Sequence, residues 1–184
     1  SSRAVTYDFS RLSALPGLID THVHIDAHFG KDGKAGSRGE EPQQRMLYAA
    51  ENANLMLMSG FTTTQSLGSR LDPDLRDAIN RGVLPGPRLL TSISSITERT
   101  GTPEEIRAFV RKVVGEGADL VKLFASKSIR EGGAQTLSDA QIAAACDEAR
   151  KLGKRSWVHA HADEAVRAAT LAGCFAITHG SQVS

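Results

Sequence analysis

The sequence predicts an α/β fold in which parallel strands are joined by crossover helices, and three observations carry that reading. Short β-branched or apolar runs alternate with helix-period stretches along all 184 residues. Gly or Pro punctuates nearly every junction between them. Five of the six histidines fall at or just beyond the C-terminal ends of the predicted strands, the edge at which such folds bind ligands. Periodicity alone leaves open whether the strands form a doubly wound sheet or a closed barrel.

Each element follows from its own signals. Leu18 to His24 reads as a strand entered through Pro16-Gly17, and Lys31 to Glu41 is polar, Gly-rich and loop-like. Helix spacing runs from Pro42 to Met58, with Met46, Leu47, Ala50, Asn54, Leu57 and Met58 near one face, and Ser59-Gly60 stops it. Phe61 to Thr64 is a short strand; Asp72-Pro73 opens a helix to about Asn80; Arg88 to Ile93 is the third strand. Thr102-Pro103-Glu104-Glu105 supplies an N-cap, a Pro at the first helical position and acid in the first turn, ahead of Ile106, Phe109, Val110 and Val113. A buried strand, Leu120 to Phe124, follows. Ser138-Asp139 starts the next helix, to about Leu152, and Ser156 to His161 is the fifth strand. Asp163 starts a short helix to about Gly173, and Phe175 to His179 is the sixth strand.

Composition narrows the function classes. Hydrophobic residues make up 40% and charged residues 23%, and 22 Lys+Arg against 21 Asp+Glu leave a formal charge of +1. That balance excludes the broad basic field of a nucleic-acid binder and the acidity of a disordered tail. No apolar run approaches the ~18–20 residues of a membrane span, and the N-terminus has no signal-peptide core. A soluble protein with a cytoplasmic default and a small-molecule partner is the expectation. Cys146 and Cys174 cannot build a disulfide framework and read as small core residues. At 184 residues the chain is short for an α/β barrel, which usually needs ~250.

The chemistry gathers at the strand ends. His22 and His24 are two apart on a strand and so share a face, where two neutral imidazoles can hold one divalent cation. His159 and His161 share a face for the same reason. On depth, His161 is favoured as a ligand at the mouth of the site, and His159 as a supporting residue one layer below. Lys122 interrupts the apolar run Leu120-Val121-Lys122-Leu123-Phe124, where a charge is costly. It is either a snorkelling side chain or a desolvated amine able to act as a base, form a Schiff base or take up CO2 as a carbamate. Arg130 or Lys127, in the loop after that strand, reads first as a solvated loop charge and otherwise as a contact for a substrate carboxylate, and His28 reads as a surface residue.

Pro16-Gly17-Leu18-Ile19-Asp20-Thr21-His22-Val23-His24 resembles the opening motif of the metal-dependent amidohydrolase superfamily. The likeness continues through Gly60-Phe61-Thr62-Thr63, Val121 to Ser126, Val158-His159-Ala160-His161 and Ile177-Thr178-His179-Gly180. It is nearest to the subgroup related to imidazolonepropionase and Xaa-Pro-type dipeptidases. The resemblance implies a (β/α)8 TIM barrel, present here as about six βα units (16–184), with residues 1–15 a remnant of a small β-sandwich domain. It implies two divalent metal ions, usually zinc. His22 and His24 would hold one ion, carboxylated Lys122 would bridge both, and His161 and His179 would hold the second. A hydroxide between the ions would then attack an amide, peptide or cyclic-amide C–N bond.

The superfamily also uses an aspartate at the end of an eighth strand, and only Gly180 to Ser184 follow His179. The chain therefore reads as a fragment lacking the acid–base group, inactive alone unless that carboxylate is supplied. Alternatively it is a non-catalytic metal-binding subunit whose barrel another chain, a second copy included, completes. A Schiff-base lyase using Lys122 ranks last, since it leaves the histidines unexplained.

Overall fold

The computed structural model describes residues 4–30, 32–34 and 39–184. Along them run β1 (Leu18–Val23), α1 (Pro42–Met58), β2 (Phe61–Ser66), α2 (Asp72–Asn80), β3 (Arg88–Thr91), β4 (Ser95–Ile96), α3 (Pro103–Gly115), β5 (Leu120–Phe124), α4 (Asp139–Lys151), β6 (Arg155–Ala162), α5 (Asp163–Leu171) and β7 (Ala176–Gln182). Hydrogen bonding orders the strands β1-β2-β3 and β4-β5-β6-β7, and every pairing is parallel. The α/β class with parallel strands is therefore as the sequence predicts.

One predicted strand is corrected. Arg88 to Ile93 ends at Thr91, because Ile93 takes a φ of 60° that no strand accommodates, and the chain becomes extended again only at Ser95. A β-branched residue in the left-handed region is strained. Burial of its side chain against Val113 and Ala118 holds it there. The kink passes the chain from one set of strands to the other: Thr91 pairs with Ser66 on β2, while Ser95 pairs with Lys122 on β5. Asp119 spans the joint. Its N–H donates to the Thr91 carbonyl (2.8 Å) and its carboxylate accepts from the Thr91 N–H (2.9 Å) and from Arg76 (2.7 Å).

The larger core lies between β4–β7 and α3–α5, where Ile106, Val110, Val121, Leu123, Ile142 and Val158 pack together. Reciprocal capping boxes start two of these helices, Thr102 with Glu105 on α3 and Ser138 with Gln141 on α4. The smaller core sets Ala49 and Ala53 of α1 against Ile25, Leu75 and Leu89. The buried stripe of α1 is thus its alanines; Leu47 and Met58, expected on the core face, are 72% and 76% exposed. Small side chains let the helix approach closely, and its larger ones are left on the outside.

Cys146 is buried as expected, but it is bonded to Cys174, a correction to the reading of two idle thiols. The bond ties α4 to the turn between α5 and β7. Residues 4–17 contain no strand and expose Val5, Tyr7, Leu12 and Leu15. Residues 1–3, and residues 31 and 35–38 of the predicted loop, lie outside the described residues. No helix among the described residues is long and apolar enough to cross a membrane.

Candidate metal centre

Parallel pairing puts the C-terminal ends of all the strands at one edge, and the histidines meet there. His22 lies near the end of β1 with His24 just beyond it, His159 and His161 near the end of β6, and His179 in β7. The His159, His161 and His179 rings form a triangle with centroids 4.6–4.8 Å apart. A nitrogen from each lies within 4.8 Å of the others, a spacing that suits a single ion. His22 joins from the opposite side, 5.3 Å from the His179 ring and 5.8 Å from His24. His22 sits on the first strand and His179 on the last, so the arc curls far enough to bring its two ends together.

Lys122 stands on the same face of β5 as His159 does on β6, since Lys122 pairs with Trp157 two residues before it. It is fully buried, and its Nζ has no hydrogen-bond partner among the described residues. Its Nζ lies 4.9 Å from the Phe124 ring, which in turn lies 5.2 Å from the His159 ring. Burial pushes the amine down to about 8, so a fraction is the free, nucleophilic amine at neutral pH. Burial likewise pushes His22 and His159 down to about 4, and His24 and His179 in the same direction. Burial thus favours the neutral form of these four imidazoles, the form that binds metal.

Depth does not separate His159 from His161, because both are buried. Their second nitrogens do. His159 Nε2 donates to the Lys127 carbonyl (3.3 Å), leaving Nδ1 as its lone-pair nitrogen. His161 shares Nδ1 with the Ser181 hydroxyl (2.6 Å), and its backbone N–H donates to Ser126 Oγ (3.1 Å). The loop between β5 and α4 is thereby pinned to both residues. Gly133 in that loop has a φ of 69°, and a Cβ there would meet Gln182 and lie 2.9 Å from the His161 Cβ. His179 itself has a φ of 82°, strain of the kind that concentrates at functional sites.

Other predicted residues fall elsewhere. Arg130 is exposed in a short 3-10 turn (Ile129–Glu131), outside the cleft beside His159 that Lys127 lines. His28 is a correction: its side chain is only 10% exposed, stacked on Tyr48 at 3.7 Å and bonded to Glu40 at 3.1 Å. The sequence reading also missed a polar brace beside the site. Asp72 at the start of α2 is fully buried and accepts from the Thr91 hydroxyl (2.6 Å) and the Ser69 N–H (3.2 Å), while the Ser69 hydroxyl donates to Asp26 (3.0 Å), which also pairs with Arg45. Asp72 had signalled only a helix start, and nothing local in sequence marks its burial.

The amidohydrolase family profile matches residues 13–183. A comparison with curated protein sequences gives no match. Among solved structures, the chain is 28% identical to a Xaa-Pro dipeptidase with methionine bound in its active site, with a TM-score of 0.81 over 92% of this chain and 49% of that one. It also superposes on an amidohydrolase at 23% identity (TM-score 0.82, 100% of this chain and 52% of that one). A prolidase complexed with N-methylphosphonate-L-proline gives 22% identity and a TM-score of 0.80, over 92% and 48%. These last two show the fold, a partial (β/α) barrel. The chain spans about half the length of these structures.

Proposed function

The chain belongs to the amidohydrolase family, and on that premise we propose that it contributes to a metal-dependent hydrolase of amide, peptide or cyclic-amide C–N bonds. The observation that carries the proposal is Lys122: a fully buried amine, without a polar partner among the described residues, on the face shared with His159. An orphaned buried amine is costly unless something meets it, and a carbamate with metal on its oxygens would do so. The imidazoles around it suit two divalent ions, with zinc the best match to a nitrogen-rich donor set.

In this reading His22 and His24 hold one ion. His161 and His179 hold the other, and His159 joins them because its Nδ1 is left free. Lys122 would add to CO2 through a new N–C bond with loss of a proton, and the carbamate so formed would be a further oxygen donor to the centre. Bound there, zinc would lower the pKa of a water toward ~7 and polarise a carbonyl. The chain's own groups then orient these donors: the Lys127 carbonyl fixes His159, and Ser126 and Ser181 fix His161.

A second reading has support as well. The metal-type group found among the described residues is made of histidines and includes no carboxylate to carry the proton. A metal-binding subunit completed by another chain fits that observation.

The test is metal analysis and intact mass of the purified chain. About two zinc equivalents and the mass of one added CO2 are expected, both lost in Lys122→Met. A metal-free chain with unmodified Lys122 after incubation with zinc and bicarbonate would overturn the site. Full metal loading with no cleavage of a dipeptide and amide panel would favour the subunit reading.

A further inference from the structure

Among the described residues β7 is the last strand of its sheet, hydrogen-bonded to β6 alone. Its ladder is regular only from Ala176 to His179, opposite Trp157 to Ala160, and the register shifts beyond. His179 closes that stretch at a φ of 82°, and a residue in the left-handed region stays there only while its surroundings over-determine it. Past the shift, Ser181 shares a hydrogen bond with His161 (2.6 Å) and the Ser184 hydroxyl donates to Asp163 (2.8 Å). At the near end, the Phe175 N–H donates to Ser156 Oγ (2.9 Å) and the Cys174 N–H to the Ala169 carbonyl (3.1 Å). The Cys146–Cys174 bond is the third tie at that end, and it alone of the three reaches α4. Cys146 sits there in the larger core with Val121, Leu123 and Val158 of β5 and β6. The disulfide therefore fastens the entry of an edge strand to the core, just ahead of the short ladder that delivers a candidate metal ligand.

We infer that the Cys146–Cys174 bond is a redox control on the metal centre, closed to hold His179 beside His159 and His161 and opened by a dithiol to release it. This control rests on the metal centre of the proposed hydrolase and adds its regulation. Cys146 is 1% exposed and Cys174 half-buried, so an incoming thiolate meets the Cys174 sulfur. Attack there expels Cys146 as the thiolate; the second thiol of the dithiol then frees Cys174 and closes the reagent's own disulfide. Two electrons and two protons pass from the dithiol to the cysteines. With its entry unfastened, β7 frays from the open edge, His179 relaxes out of its strained backbone, and the ion it shares loses a ligand.

Zinc affinity, read by competition with a chromophoric chelator, tests this with the bond closed and again after a phosphine has opened it. Opening should weaken zinc about tenfold, the lower end of the ~10–100-fold that losing a ligand's support costs. By reciprocity, zinc then makes the bond about tenfold harder to open. That is a fall of about 30 mV in its two-electron potential, read in a dithiothreitol buffer at fixed free zinc. Cys146→Ala/Cys174→Ala has neither bond nor thiols and should bind zinc as the opened chain does. Hydrogen exchange separates a local effect from general loosening, since opening should speed the amides of β7 and leave those of β1 unchanged. Equal or tighter zinc binding after opening, or equal acceleration in β1 and β7, overturns the control and spares the hydrolase reading. A closed chain that takes up no zinc overturns the centre itself, and the control with it.

Discussion

His22 and His159 sit among other groups that become cationic on protonation, and their protonation is opposed first by burial. With native values of about 4 against an ordinary 6.5, the folded chain refuses protons that the unfolded chain accepts. For a group depressed in this way, the stabilisation is complete above pH 6.5 and is lost as pH falls toward 4. The metal-free chain should therefore lose stability steadily across that window, read as the urea midpoint at each pH, and His159→Gln should flatten the slope. A midpoint constant from pH 7 to pH 4 would contradict the cluster. At this scale the sequence was informative about identity and poor on contact. The spacing His159-Ala160-His161 put both imidazoles on one face, but which ring nitrogen each has engaged depends on the Lys127 carbonyl and the Ser181 hydroxyl, which lie 32 and 20 positions away. Lys122 stood out at once because an apolar run has no reason to contain it.

Among the elements, those with local signals were legible. The boxes Thr102/Glu105 and Ser138/Gln141 fixed the starts of α3 and α4, and β5 was read to the residue. The elements misread depend on partners remote in sequence. Ile93 breaks its strand because Val113 and Ala118 receive its side chain, and α1 turns alanines inward because Leu75 and Leu89 come close. The Cys146–Cys174 bond belongs to the same class: the two are 28 residues apart and reach a Cα separation of 5.1 Å only when α4 packs beside the α5–β7 turn. Closing a loop of that length stabilises a fold by roughly 3–4 kcal/mol in the chain-entropy account. Reduction, or Cys174→Ser, should lower the unfolding free energy by that order, and thiol labelling of the native chain should find no free cysteine until reductant is added. An unchanged unfolding midpoint in reductant would show that the bond contributes nothing. Such bonds are uncommon in reducing compartments, so this element also weighs against the cytoplasmic default.

For the molecule as a whole, the parallel arc has two edge strands, and both expose apolar side chains: Leu18 and Ile19 on β1, with Phe175 beside β7. Unpaired strand edges are weak points of a sheet. Yet these same two strands supply His22 and His179, whose rings lie 5.3 Å apart across the opening. The two ions of the proposed centre, one on His22 and the other on His179, would act together as a clasp on the arc as well as a chemical group, and their binding energy would add directly to folding stability. At a free zinc concentration a hundredfold above the dissociation constant, that gain is about 2.7 kcal/mol. For a chain of this size each kcal/mol raises the melting temperature by ~2–4 °C, so zinc should raise it by roughly 5–10 °C. His22→Ala and His179→Ala should each remove most of the rise, although the two residues come from opposite ends of the arc. If either variant keeps the whole rise, zinc binds without bridging the edges, and the two strands are held together by packing alone.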